Sequence, residues 1–295
     1  MLSSIGREVS QKVSISCPKP RLVASAGTMK NAVEIASVAR RAAAATEKAA
    51  RRGDTVIAIG GDHSISIGTL AGAAAAHESL GVIYIDAHPD CNTHETTLSG
   101  NVHGFVAANA MGFGHPMFTR IAKRAIAPEH FLFIGLKDFD QAEIDFLRDN
   151  RVPSVTMLDI VKRGLSPAFA AIDALARTVD KVWISMDFDS IDETYAPGVA
   201  MTTPDGLTRR EIMGLAHHIG LTCNVAGMDL VELVPGKDKE GKTAGLALEI
   251  SARFLGREYS WYKSYMDTYR ETNIVGNGIG QSEQAWQKRE ESPEA

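Results

Sequence analysis

Several common protein classes are excluded by what this 295-residue chain lacks. It has three cysteines, Cys17, Cys91 and Cys223. They are odd in number, widely spaced and without a Cys-x-x-Cys pair, which argues against a disulfide framework or a zinc ribbon and for a reducing compartment. No apolar run approaches the ~20 residues of a membrane span, and the amino-terminal residues lack the apolar centre of a secretory signal. There is no basic excess: 31 Lys and Arg face 36 Asp and Glu, a net charge of -5 with a pI near 6.0. Nucleic acid and anionic membrane surfaces are therefore not expected partners, and a small cationic substrate fits better. Gly60-Gly61 is followed by no G-x-G-x-x-G or Gly-Lys-Thr pattern, and Asp62 would repel a phosphate, which sets nucleotide binding aside. Neither a Pro/Gly/Ser linker nor an internal repeat divides the chain. A single domain over residues 31–265 is expected, between an amino-terminal segment (1–30) and a polar tail (266–295). Residues 1–25 are rich in Ser, Lys and Arg with one acid, Glu8, which leaves an organellar matrix open beside the cytoplasmic location expected.

What the sequence does contain is alternation. The short runs Thr55–Ile59, Gly81–Asp86, Phe131–Ile134, Val182–Met186 and Val225–Val231 read as strands. Between them, Asn31–Arg52, Ile65–His77, a segment after His103, Gln141–Asp149, a segment opened by Ser166-Pro167, another opened by the Thr208–Glu211 capping box, and Thr243–Leu255 read as helices. This rhythm predicts an α/β fold, a parallel sheet covered on both faces in a three-layer α/β/α sandwich.

In such sheets the functional crevice lies beyond the carboxyl ends of the strands. Three strand ends here carry metal-type ligands: His63; Asp86, His88 and Asp90; and Asp187 with Asp189. In extended backbone, residues i, i+2 and i+4 share a face, which points Asp86, His88 and Asp90 the same way. Four carboxylates brought together repel one another unless cations offset them, and two divalent ions balance the charge. Ligation rich in carboxylate, with two imidazoles and no thiolate, favours Mn²⁺ over Zn²⁺ and leaves Ni²⁺, Co²⁺ and Fe²⁺ open. Alone, Asp-x-His is more often an ordinary strand-end turn; His63, Asp187 and Asp189 tip the balance to metal. A dinuclear phosphoesterase generally needs an Asn ligand and more histidines than this set provides.

The segments Gly60-Gly61-Asp62-His63-Ser64, Asp86-Ala87-His88-Pro89-Asp90 and Ser185-Met186-Asp187-Phe188-Asp189-Ser190-Ile191-Asp192 together resemble the ureohydrolases, the family of arginases, agmatinases and related amidinohydrolases. The resemblance runs from about Val56 to Pro235. It implies an arginase-like fold and a Mn-dependent hydrolase that cleaves a guanidino compound to urea and an amine. His63, Asp86, Asp90 and Asp187 are implied on one ion and Asp86, His88, Asp187 and Asp189 on the other, with Asp86 and Asp187 bridging. Asp90 also orients the attacking hydroxide, Glu232 pairs with the substrate guanidinium, and His103 shuttles a proton to the departing amine. The loop Asn92–Gly104 is similar to the arginase version, which meets an α-carboxylate, here through Asn92, Ser99 and Asn101. Gly135–Glu143 is similar to the arginase segment whose two acids, here Asp140 and Glu143, receive the α-amino group. L-arginine is thus the expected substrate, with agmatine or guanidinobutyrate the nearest alternatives, and a homo-oligomer, trimer or hexamer, is implied.

The bland readings stand beside these. Asp140 and Glu143 have capping-box spacing, so helix capping competes with substrate contact, and both roles can coexist. His103 could be a loop histidine, while His77, His130, His217 and His218 match no motif and read as surface or packing residues. The chain departs from the family in two places. It has too few residues before Gly60 to supply both the extra strand and the glycine-rich loop with which the family opens. Glu193 stands where the family has proline, and Ala196–Gly206 differs from the usual arginase loop. These departures motivate the alternative of another class, a metal-binding scaffold without turnover.

Overall fold

Strands that are apolar on both faces need cover on both faces, and the computed structural model, which describes residues 8–19 and 29–257, shows that cover. The described elements run α1 (Ala32–Arg51), β1 (Val56–Ile59), α2 (Ser66–Ala76), β2 (Leu80–Ile85), α3 (Val106–Ala110), α4 (Pro116–Thr119), β3 (Phe131–Leu136), α5 (Gln141–Asp149), β4 (Ser154–Thr156), α6 (Met157–Arg163), α7 (Ser166–Thr178), β5 (Lys181–Asp187), α8 (Arg209–Thr222), β6 (Val225–Val231) and α9 (Lys242–Phe254). The tail expected at 266–295 lies outside the described residues.

The strands form one sheet in the order β1-β6-β5-β2-β3-β4, every pair parallel. Alternation along each strand divides the core in two. Val82 and Tyr84 of β2, Phe131 and Phe133 of β3 and Trp183 of β5 pack with α1, α2 and α3. Ile83, Ile85, Leu132, Ile134, Ile184 and Met186 pack on the opposite face with α6, α7, α8 and α9. The three-layer sandwich read from the sequence is the fold observed. In the first layer α2 lies unusually close to α1: a side chain at Gly68 or Gly72 would strike the backbone carbonyls of Ala39 and Ala43. An alanine-rich α1 and a glycine-bearing α2 are what that approach requires.

Three elements, α4, β4 and α6, have no counterpart in the sequence reading. A strand of three residues is too short to show a period of two, although Thr156 and Asp159 form a capping box that marks the start of α6. Among the described residues no strand precedes β1, which leaves Ile59 exposed at the sheet edge.

The strand order positions the site. From β2 the chain steps outward to β3 and β4, then returns to β5 beside β2 and steps the other way to β6. The β2/β5 boundary is therefore a topological switch point, where connections leave in opposite directions and a crevice opens at the carboxyl ends. Ile85 pairs with Met186 in register, so the next residues, Asp86 and Asp187, stand side by side at the strand ends.

Candidate metal centre and active site

Each ligand-type side chain is delivered by a short turn at a strand end. After β1 the chain enters a 3₁₀ turn, His63–Ile65, capped by Asp62, whose Oδ1 accepts from the Ser64 N–H at 3.0 Å. After β2, Asp86 Oδ1 accepts from the His88 N–H at 2.7 Å. Asp90 follows with φ 48°, a left-handed conformation unusual outside glycine, and its carbonyl accepts from Ala107 N–H at 3.1 Å. After β5, Asp187 Oδ1 accepts from the Asp189 N–H at 2.8 Å. These local bonds turn the remaining carboxylate oxygens inward.

The six side chains converge. His63 Nδ1 lies 3.2 Å from Asp86 Oδ2, 3.3 Å from Asp90 Oδ2 and 3.0 Å from Asp187 Oδ2. His88 Nδ1 lies 3.5 Å from Asp86 Oδ1 and 3.2 Å from Asp189 Oδ2. Asp86 borders both groupings, and His63, Asp86, Asp90, Asp187 and Asp189 are all buried. One imidazole proton cannot serve three carboxylate oxygens at once. Asp86 Oδ2 and Asp189 Oδ1 are buried without any hydrogen-bond partner, an arrangement costly for a carboxylate unless a cation fills it. Hard oxygen donors with two imidazole nitrogens make a donor set that fits divalent cations.

The electrostatics report the same crowding. Burial, then repulsion from Asp86, pushes Asp90 up to about 8, and burial with Asp189 and Asp86 pushes Asp187 well above the carboxylate range. Burial opposes ionisation of Asp86 too, yet His63 and His88 pull it down to about 2. Burial lowers His88, but Asp189 and Asp86 override it and push the imidazole up to about 12. The shifts raise proton affinity at Asp90, Asp187 and His88, where a cation would compete with protons.

Behind the ligand-type residues stands a layer that the sequence reading did not single out. Ser185 Oγ lies 2.9 Å from His63 Nε2 and so fixes the ring with Nδ1 toward the carboxylates. Tyr84 donates to Asp90 Oδ2 at 2.7 Å. A tyrosine in an otherwise aliphatic buried strand is a signal in itself, because its hydroxyl needs a partner.

Beside the centre, Glu232 follows β6 with φ 61°; its Oε1 accepts from the His63 N–H at 2.7 Å, and its own N–H donates to Gly61 O at 2.6 Å. His103 Nδ1 is 2.9 Å from Asp62 Oδ2, and Asp62, His103 and Glu232 form one further cluster. The hydrogen bond to Asp62 raises the His103 pKa. Asp62, read from sequence only as a bar to phosphate, is thus the partner of His103.

The rim residues are arranged differently. Asn92 Nδ2 donates to Asp140 Oδ2 at 2.9 Å, and Asn101 Oδ1 accepts from Lys30 Nζ at 3.0 Å. Ser99 is exposed, and its Oγ accepts from the Asn101 N–H at 3.1 Å. Asp140 and Glu143 form the capping box of α5. Glu143 is 7% exposed, with Oε1 accepting from Cys91 N–H at 3.2 Å and Oε2 from Asp140 N–H at 3.1 Å. The structure therefore shows the capping role of both acids. The divergent loop 196–206 is tied to the segment after β5 and to Lys137: Thr203 Oγ1 donates to Asp189 O at 2.6 Å and Lys137 Nζ reaches Pro204 O.

Fold and centre together define the class: the chain belongs to the arginase family, whose model matches residues 6–256. Within that family it is similar to the arginase of Bacillus caldovelox, 36% identical over 233 residues that span 78% of each chain. The native structure of that arginase superposes with a TM-score of 0.80 at 35% identity, covering 83% of this chain and 84% of the other. The arginase of Entamoeba histolytica, solved in complex with L-ornithine, gives a TM-score of 0.77 at 29% identity over 82% of this chain and 83% of that one.

Proposed function

We propose that this protein hydrolyses L-arginine to L-ornithine and urea with a pair of divalent cations, Mn²⁺ being the first candidate. The observation that carries the proposal is the convergence of His63, Asp86, Asp90, Asp187, His88 and Asp189 around buried carboxylate oxygens that have no other partner. Membership of a family whose relatives are named arginases, one of them solved with L-ornithine, supports the substrate. Bound there, two cations supply Lewis acidity, making water acidic enough to serve as a nucleophile at neutral pH.

His63, Asp86, Asp90 and Asp187 would hold one ion, and Asp86, His88, Asp187 and Asp189 the other, with Asp86 and Asp187 available to both. Asp90 also accepts a hydrogen bond from the attacking water and so aims it. Glu232 pairs with the substrate guanidinium; its raised pKa, a consequence of burial, is offset once that cation arrives. His103 gives its proton to the departing amine nitrogen, and the Asp62 carboxylate keeps its imidazole charged to higher pH. Asn92, Ser99 and Asn101 meet the α-carboxylate. Asp140 meets the α-amino group, with Glu143 contributing from behind it. Few, unpaired cysteines favour the cytoplasm, and the family favours a trimer or hexamer, which light scattering on the purified protein tests.

The altered loop 196–206 favours a second reading, in which agmatine, guanidinobutyrate or another guanidino compound is the better substrate. Urea release across arginine, agmatine and guanidinobutyrate, each with Mn²⁺, Ni²⁺, Co²⁺ and Fe²⁺, decides between them. Arginine with Mn²⁺ is expected to be fastest; no urea from any combination would leave only the non-catalytic scaffold.

A further inference from the structure

The hydroxyl of Tyr84 is buried in an aromatic wall where phenylalanine would pack equally well. Tyr84 has no exposed surface, and its ring meets Phe133 edge-on at 5.2 Å and Phe131 at 6.3 Å. Nothing in that wall calls for an oxygen. The oxygen instead reaches past the end of β2 to the metal-type centre, 2.7 Å from Asp90 Oδ2 and 3.4 Å from His63 Nδ1. The same ring lies parallel to the His63 imidazole, 4.9 Å between centroids and 9° between planes. One side chain therefore touches two ligand-type residues from separate segments, one after β1 and one after β2. By ring stacking it fixes the plane of the imidazole, and by hydrogen bonding it fixes the rotation of the carboxylate.

Asp90 is a residue that needs fixing. Its backbone is left-handed at φ 48°, and Ala107 and Ala108 donate to its carbonyl at 3.1 and 3.4 Å, so its main chain is clamped, while its carboxylate faces the Tyr84 hydroxyl at 2.7 Å and the His63 imidazole at 3.3 Å. His63 is held from the far side by Ser185 at 2.9 Å, which leaves the ring face to Tyr84.

We propose that Tyr84 is a positioning residue for one cation of the pair, the one held by His63 and Asp90, and that it leaves the other, held by His88 and Asp189, unaffected. The proposal rests on the dinuclear reading given above. Outer partners of metal ligands typically change affinity by roughly 10- to 100-fold, and an effect of that size on one ion alone is expected here.

The test is Tyr84→Phe, which removes one oxygen and keeps the ring. Free Mn²⁺ is titrated against wild type and variant by electron paramagnetic resonance, and bound ions are counted after dialysis. Wild type is expected to bind two ions, and Y84F to bind one of them at least tenfold more weakly and the other as before. Midpoint temperatures of the metal-free proteins separate folding from positioning: a hydroxyl that served only the fold would lower the midpoint and leave both affinities alone, and that result overturns the proposal. A further measurement uses no variant. The near-ultraviolet tyrosine spectrum of wild type is expected to shift on one of its two binding steps, the one that fills the position beside His63 and Asp90; no shift on either step counts against the assignment. Wild type binding fewer than two ions would sink the dinuclear reading and this proposal together, whereas two ions in wild type with unchanged affinities in Y84F would sink this proposal alone.

Discussion

The floor and the rim of the site solve opposite problems. On the floor, carboxylates are buried with oxygens that complete no hydrogen bond, as at Asp86 Oδ2 and Asp189 Oδ1, and with one imidazole facing three acids. At the rim, polar groups have already found each other: Asn92 with Asp140, Asn101 with Lys30, Glu143 with two backbone N–H groups. An unsatisfied floor stores repulsion that a cation relieves, so it binds by filling a lack. A satisfied rim must exchange one set of hydrogen bonds for another, so it discriminates among ligands more than it attracts them.

The largest effect expected from this contrast is at Asp187, which the reading gives to both ions. Asp187→Ala is expected to lose both ions and to lower kcat/KM by more than the roughly 100-fold that outer-shell changes reach. Elemental analysis alongside urea release checks it; full retention of two ions would falsify the bridging role.

Metal removal probes the floor as a whole. For the proposed centre, which the unfolded chain lacks, Mn²⁺ at about 100 times its dissociation constant should add roughly 2.7 kcal/mol per site, and a chelator should take that away. Acid should weaken binding as well, since the protons on His63, His88 and the raised Asp90 and Asp187 compete with the metal. Thermal unfolding with and without Mn²⁺ reads the first effect, and titration at several pH values reads the second. A midpoint indifferent to Mn²⁺ contradicts the account of the floor.

Asp140→Ala tests the rim. It frees Asn92 and removes the partner proposed for an α-amino group, so turnover of arginine should fall about tenfold or more relative to guanidinobutyrate, which has no amino group. Equal losses on both substrates point to damage to the α5 cap and against a head-group contact.

How much of this could be read from residues alone follows the same division. The convergence on the floor was legible because its ligand-type residues lie in short segments at strand ends, where a period of two and a strand-turn-helix rhythm place them without tertiary knowledge. The order of strands was not legible: nothing local says that β5 returns beside β2, yet that pairing is what sets Asp86 against Asp187. Tyr84 and Ser185 escaped because strand residues with one hydroxyl look like core until their partners, remote in sequence, are known. At the rim, the Asp140–Glu143 spacing carried two meanings, and only burial shows that Glu143 is occupied by the backbone.

The smallest effect sharpens that last point. Burial, only partly offset by the N–H groups of Asp140 and Cys91, pushes Glu143 up to about 7 from the ordinary 4.5. In the pH interval between those values the folded chain keeps a proton that the unfolded chain has released. Stability must therefore fall as pH rises from about 4.5 to about 7, with no penalty below the interval and the full penalty above it. Glu143→Gln carries a constant cost for the acceptor it loses but does not titrate. The difference in unfolding free energy between wild type and E143Q should accordingly drift against wild type across the interval, by on the order of 1 kcal/mol per pH unit at most. Urea denaturation at pH 5, 6 and 7 measures the drift. A constant difference would mean that Glu143 is ionised throughout, and would return it to the rim as a charge available to a substrate amine.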